Sequence, residues 1–264
     1  MTGWLLYTPE GAARNRAFIE FWQNAAAKRG IQMELYLTGE PLPEEPPAFA
    51  VVRAMDPALS LRLEQRGIPV FNPAVVSDCC NDKWKTYRLA SSLGIPFPKT
   101  VYVPDPAVLP PFPYPYVLKA CGGHGGTQVF LVRNDEEAHA ASNALRGIPS
   151  VLQEPVSSLG RDVRVYVLGD RILCAMLRVS DTDFRSNFCL GGKAVPYTLS
   201  GAEEEMVRAF LSALPFGLVG IDFLFDNGKM VFNEIEDVVG CRMLYTHTNI
   251  RPVELYLDWI LERI

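Results

Sequence analysis

Apolar and polar positions change their spacing several times along the chain, and each change predicts an element. Residues 3–8 form a short continuous apolar run, as expected of a buried strand. Over residues 12–29 the positions Phe18, Phe21, Trp22 and Ala25 recur at helical spacing, and Gly30 supplies a stop. Strands are expected at 31–37 and 49–53, with the proline-rich loop 41–47 between them. A helix at 59–65 and a short strand at 70–71 follow. Strands alternating with helices predict a small parallel α/β domain over residues 1–76.

A second unit, residues 77–150, reads as an α+β lobe. Asn81 is placed to cap a helix that runs to Leu93, where Gly94 ends it. The proline-rich stretch 104–115 leads into a strand at 116–120. The glycine-rich turn 122–126 joins that strand to another at 128–133, and a helix is expected at 136–145. The third unit, residues 151–264, opens with strands at 151–154, 163–168 and 172–179. A helix at 202–214 precedes strands at 219–225 and 230–236. Asp226-Asn227-Gly228 joins the last two as a hairpin, since Asn-Gly is a strong turn signal. Pro252 opens a C-terminal helix with Val253, Tyr256, Leu257 and Ile260 on its apolar face.

Composition narrows the function classes. At 264 residues and 48% apolar content the chain can bury a substantial core. The net charge is −5 and no Lys/Arg run interrupts it, which argues against nucleic acid as a partner. Phosphate binding remains open, because site charges act locally. Six cysteines form no Cys-x-x-Cys pair and three histidines are scattered, so no zinc site is expected. The chain reads as a reduced, cytoplasmic protein without a signal peptide. No apolar run approaches the ~20 residues that span a bilayer, so no membrane partner is expected. A homo-oligomer is compatible with the sequence.

Three groups of residues suggest chemistry. The first is Tyr116-Val117-Leu118-Lys119 running into Gly122-Gly123-His124-Gly125-Gly126. A lysine at a strand end reaches phosphate oxygens, and a glycine turn closes backbone N–H groups over them without Cβ clashes. An ordinary glycine hairpin is the competing reading. The segment is neither a Walker A loop nor a dinucleotide fingerprint, for want of Gly-Lys-Ser/Thr and of the third glycine.

The second group is Gln153-Glu154-Pro155-Val156 with Asp162 and Arg164 beyond it. Extended backbone here could hydrogen-bond adenine, and Asp162 could accept from ribose hydroxyls; a charged surface turn is the alternative. The third is Asp222 with Glu234 and Glu236 on the paired strand. Glu234 and Glu236 share a face because they lie two apart. Carboxylates in apolar strands are expensive to bury unless a cation neutralises them, and hard divalent ions prefer oxygen ligands. The alternative, a solvated strand face, fits poorly with the apolar run 219–225.

With these groups in this order, the chain resembles the ATP-grasp superfamily, and within it the RimK-like α-glutamate ligases. The likeness covers nearly the whole chain. It implies an ATP-grasp fold, two α+β lobes clasping ATP behind a small parallel α/β domain. Lys83 matches the lysine that opens the small lobe, and Lys119 the nucleotide-binding lysine. Glu154 and Val156 fall on the adenine hinge, and Asp162 on a nucleotide contact. Asp183-Phe184-Arg185-Ser186-Asn187, followed by Gly191-Gly192, resembles the family's Phe-Arg-Ser-Asn…Gly-Gly segment. The resemblance makes Arg185 and Asn187 catalytic candidates beside Lys119, with Arg185 stabilising the transferred phosphoryl group. Lys83, Lys119, Gly123, Gly125, Gly126, Gln153, Glu154, Pro155, Val156, Asp162, Arg164 and Arg185 become nucleotide-binding candidates. Asp222, Glu234 and Glu236 become ligands for Mg²⁺, with Mn²⁺ as a substitute. The chain departs from the family at Glu236, where asparagine is usual, and at Val238-Val239, where Ser-Pro is usual.

The resemblance implies a ligase that phosphorylates a small-molecule or peptide carboxylate with ATP and joins it to an amine. An ATP-grasp kinase acting on an alcohol or polyol, or a non-catalytic ATP-binding module, are the alternatives. His124 reads as a lid residue, and Cys79-Cys80 as linker or core. His247 near Arg242 and Arg251 ranks below the three groups as a hold for an anionic substrate.

Overall fold

The computed structural model describes residues 1–180 and 193–264. The first sheet is parallel, in the order β2-β1-β3-β4. It is built from β1 (Thr2–Tyr7), β2 (Gln32–Leu37), β3 (Phe49–Val52) and β4 (Val70–Phe71). Where one helix is expected at 12–29 there are two, α1 (Pro9–Arg14) and α2 (Arg16–Ala27). Thr8 starts the first by accepting from Gly11 N, with Pro9 in the first turn. The break falls at Asn15, whose side chain bonds back to Gly11 O at 2.7 Å. Asp56 caps α3 (Pro57–Gln65), and the short α4 (Ala74–Cys80) follows.

The helix α5 (Lys83–Ser92) is capped by Asp82, which accepts from Trp84 N and Lys85 N. Asn81, the expected cap, instead donates to Ser77 Oγ at 3.0 Å and to Asp237 Oδ2 at 3.3 Å. Gly94 ends the helix region with φ of 68°. The second sheet, β5-β8-β6-β7, is antiparallel and comprises β5 (Thr100–Val103), β6 (Tyr116–Ala120), β7 (Val129–Val132) and β8 (Ser150–Gln153). α6 (Asp135–Ala144) follows β7 in the chain. Thus β8, assigned above to the third unit, sits inside the sheet of the second.

The third sheet is antiparallel, in the order β11-β10-β9-β12-β13. Its strands are β9 (Arg161–Leu168), β10 (Arg171–Val179), β11 (Lys193–Tyr197), β12 (Leu218–Asp226) and β13 (Lys229–Glu236). One face carries Val163, Val165, Val167, Val219, Ile221 and Phe223, and shares a core with Tyr87 of α5 and Phe210 of α7 (Gly201–Ala213). On the other face Tyr166, Leu168, Met176 and Leu218 merge with Trp22 and Phe49 of the N-terminal domain. α8 (Arg242–His247) and α9 (Pro252–Leu261) complete this core; Trp22 and Tyr256 meet edge to face at 6.0 Å. Each such buried aromatic or aliphatic side chain contributes roughly 1.5–3 kcal/mol, so the N-terminal domain is anchored to the third sheet by hydrophobic burial.

Candidate active site

The third sheet forces charged side chains together by register alone. Strands alternate their side chains, so the face opposite Val163 and Ile221 presents Asp162, Arg164 and Asp222. Asp222 pairs across the sheet with Arg164 on one side and Glu234 on the other, and Asp162 pairs with Arg178. A register shift next to Asp222 leaves Asn233 as an extra residue on β13. Phe232 before this bulge and Ile235 after it both enter the apolar core, so Glu234 and Glu236 swing to the Asp222 face.

The charges are closely matched. Arg164 donates to both oxygens of Asp222 at 2.7 Å and to Glu236 Oε1 at 2.7 Å. Arg178 donates to both oxygens of Asp162 and, at 2.7 Å, to Asp222 Oδ2. Lys83 forms an ion pair with Glu234 at 3.1 Å and donates to Gly123 O. Lys119 bonds Gln153 Oε1 of its own sheet at 2.6 Å and reaches Asn233 Oδ1 of the third sheet at 3.0 Å. Gln153 is held in turn by Tyr87 and Thr100. Four carboxylates, Asp162, Asp222, Glu234 and Glu236, thus face four cations, Lys83, Lys119, Arg164 and Arg178.

Burial perturbs the titration of these groups. Desolvation pulls Lys119 down to about 8, with Glu234 opposing and Lys83 reinforcing the fall. Burial would raise Asp222, but Arg164 and Arg178 hold it below the usual carboxylate range. Burial also opposes ionisation of Glu234, and Lys83 wins by holding it low. Glu236 is raised, by burial first; Arg164 opposes this while Asp222 and Glu234 add to it.

A cavity of about 650 Å³ opens over this face. Lys83, Lys119, Gly123, Gly125, Gly126, Gln153, Glu154, Pro155, Val156, Asp162 and Arg164 all line it, as do Glu234 and Glu236. Gly125 and Gly126 adopt φ of 64° and 75°, which leaves the turn to glycine. The Glu154 carboxylate points away to an exposed pair with Lys99 at 3.3 Å, so backbone is what residues 154–156 offer a base. His124 lies in the cavity wall, its pKa lowered by burial and by Lys83. Arg185 and Asn187 lie outside the described residues.

Asp222, Glu234 and Glu236 each place an oxygen within 4.8 Å of the others. Glu234 and Glu236 face the cavity and offer hard oxygen donors, so they fit a divalent ion. Asp222 does not line the cavity, is 1% exposed, and already binds two guanidinium groups. Only the remaining lone pair of its Oδ1 is open to a metal.

Residues 80–260 match the RimK-like ATP-grasp domain. The chain belongs to the RimK-like ATP-grasp family. This family member is 31% identical over 192 residues to a probable alpha-L-glutamate ligase of Xanthomonas campestris pv. campestris (strain 8004), covering 69% of this chain and 66% of the relative. The match therefore spans just under two thirds of that relative's length. Among solved structures, the RimK domain ATP-grasp protein of Sphaerobacter thermophilus DSM 20745 superposes with a TM-score of 0.71 at 20% identity, covering 99% of this chain and all of that one. D-alanine–D-alanine ligase from Bacillus anthracis, complexed with ATP, gives 0.77 at 14% identity over 99% of this chain and 96% of that one. These likenesses show that the RimK-like chain has the ATP-grasp fold. Among the described residues no helix is long and apolar enough to cross a membrane.

Three contributors to the site escaped the sequence reading. Arg178 looked like the end of an ordinary strand, although its place opposite Asp162 was a readable signal once β9 and β10 were paired. Asn233 was visible only as part of a segment, and the bulge that gives it its role has no local signature. Arg53 lies at the end of β3 in a different domain, and nothing near it in sequence points to the cavity.

Proposed function

We propose that the chain phosphorylates a substrate carboxylate with ATP and passes the acyl group to an amine, releasing ADP and phosphate. Family membership supports the ligase class. The observation that carries the reading is the continuity of the cavity. It runs from the glycine turn and Lys119, past Glu234 and Glu236, to Arg53, Arg242 and Tyr245. A nucleotide-binding module needs only the first end.

In the first step a carboxylate oxygen attacks the γ-phosphorus, and the bond from that phosphorus to the ADP oxygen breaks. Lys83 and Lys119 meet the phosphate oxygens, with the backbone N–H groups of the glycine turn. Residues 154–156 hold the base through their backbone. Asp162, fixed by Arg178, and Arg164, fixed by Asp222, form the cavity floor. Arg185 and Asn187 are assigned to the transferred phosphoryl group. A divalent cation such as Mg²⁺, or Mn²⁺ in its place, would supply the remaining charge neutralisation when bound by Glu234 and Glu236, with Asp222 behind them. In the second step the amine nitrogen attacks the acyl carbon, phosphate leaves, and the nitrogen gives up its proton.

Hydroxylamine tests this directly, because it intercepts an acyl phosphate as a hydroxamate. Hydroxamate should form only when a carboxylic acid from a supplied pool is present, and Arg185→Ala should suppress it. ATP consumption that yields a phosphorylated alcohol and no hydroxamate would instead establish a kinase.

A further inference from the structure

Two cations in the cavity wall, Arg53 and Arg242, are not matched by the carboxylates of the charge cluster, and Arg53 is the more buried of the two. The cationic contacts follow β13 and the loop after it in order. Lys119 meets Asn233, Lys83 meets Glu234, Arg164 meets Glu236, and Arg53 Nη2 donates to Val239 O at 3.1 Å. The first three belong to the lobes that clasp the nucleotide. Arg53 comes from the end of β3 in the N-terminal domain and stands farthest along the series from Lys119.

Arg53 lines the cavity, yet no ion pair joins it to any carboxylate among the described residues. Its Nε is buried without a hydrogen-bond partner. Tyr7 and Asp237 lie near it and act on it electrostatically, but the Tyr7 hydroxyl and Asp237 Oδ1 are both buried without a hydrogen-bond partner, and Asp237 Oδ2 accepts from Asn81. The Arg53 side chain lines the cavity, so an anion there gains a charge-assisted hydrogen bond from the guanidinium. The neighbouring wall is apolar and aromatic: the Phe18 ring centroid is 5.9 Å from the Arg53 guanidinium carbon, and Met55, Met243 and Tyr245 line the same cavity.

We propose that Arg53 binds the unreacted carboxylate of the amine substrate, and that this substrate is an α-amino acid with an apolar side chain. The inference rests on the ligase reading above. Three cations already stand between Arg53 and the glycine turn, so Arg53 is not needed for phosphate. An α-amino acid carries its carboxylate one carbon from its amine, so holding the one at Arg53 directs the other back toward Glu236. Phe18, Met55 and Met243 then receive the side chain. Arg53 is a specificity-determining residue on this assignment, and the backbone carbonyl of Val239 positions it.

Ligand-observed saturation-transfer NMR on the full-length protein with a non-hydrolysable ATP analogue tests this. The probes are racemic leucine, methionine and phenylalanine, each beside its carboxamide. At least one acid should bind, and its carboxamide should bind roughly 10- to 150-fold more weakly, the worth of a hydrogen bond to a charged group. Arg53→Met should bring the acid down to the carboxamide's level and leave the ATP analogue's affinity unchanged, while Arg53→Lys should recover part of the preference. The proposal is overturned if none of the three acids binds, if acids and carboxamides bind alike, or if Arg53→Met binds the acid as well as wild type. The acid-against-carboxamide comparison needs no variant, so a variant that failed to fold would leave the test intact. Hydroxylamine trapping requires no amino-acid acceptor. Trapping that survives a negative NMR result removes only the Arg53 assignment, whereas absent trapping removes the ligase reading.

Discussion

Replacing Arg178 by methionine keeps most of its volume and deletes a guanidinium that is 2% exposed. That guanidinium bonds both oxygens of Asp162 and one of Asp222. Asp222 keeps Arg164, so the loss falls mainly on Asp162, itself 4% exposed. Removing one partner of a buried ion pair costs about 3–5 kcal/mol, because the other charge loses that compensation. At this chain length each kcal/mol moves Tm by roughly 2–4 °C, so a fall of about 6–20 °C is expected near neutral pH. The sign with pH follows from linkage. Without Arg178 beside it the Asp162 carboxyl sits higher than in the wild type, so the folded variant binds a proton more readily and its deficit shrinks as pH falls. Asp162→Leu on top of Arg178→Met should recover most of the loss, since an apolar pair of similar volume is commonly neutral or stabilising. Thermal unfolding followed by circular dichroism, for wild type and both variants, measures all of this. A single variant melting within roughly 2 °C of wild type at every pH would mean that the Asp162–Arg178 pair holds nothing in place.

Three further outcomes are expected. ATP affinity should decline above about pH 8, by up to about tenfold per pH unit, as Lys119 loses its proton; Lys119→Met should bind roughly 10- to 150-fold more weakly near neutrality, with that pH dependence gone, as read by calorimetry. Glu236→Asn should retain much of the ATP turnover, Glu236→Ala should need more Mg²⁺ to saturate, and Glu234→Ala should be worse than either; a flat Mg²⁺ dependence in Glu236→Ala would remove Glu236 from the metal site. Burial raises Asp237 to about 6, so it favours the folded state while protonated and that contribution is lost as pH rises through about 6. Asp237→Asn should therefore match wild type near pH 4 and exceed it by up to about 3 kcal/mol near pH 7, measured by denaturant unfolding at both pH values.

Local signals carried much of the architecture. Continuous apolar runs located β1, β9, β10 and β12, and Asn227-Gly228 located the β12–β13 hairpin, because period and turn chemistry are properties of neighbouring residues. What lay beyond reach was long-range. Asp82 rather than Asn81 caps α5, since Asn81 is drawn to Asp237, 156 positions away. The short edge strands β5 and β11 have too few residues to show a period. Within the site, the lysines, the glycine turn and Glu234 with Glu236 were readable as motifs, and the structure gathers them around one cavity. Asp222 was readable as a charge in an apolar strand, but not as the shared acceptor of Arg164 and Arg178, which depends on the pairing of three strands. Arg53 reaches the cavity only through the packing of two domains, a relation no window of sequence contains.

Oxygen transfer tests the central chemistry most directly. The enzyme is incubated with ATP, Mg²⁺, a pool of amines and a pool of carboxylic acids labelled with oxygen-18 in the carboxyl group, and the released phosphate is analysed by mass spectrometry. Attack of a carboxylate oxygen on the γ-phosphorus, followed by cleavage of the acyl carbon–oxygen bond, leaves that oxygen on phosphorus. One labelled oxygen per phosphate released, with an amide formed in equal amount, is the expected result. Unlabelled phosphate, or label retained wholly in the acid while ATP is consumed, would contradict carboxylate activation in this cavity.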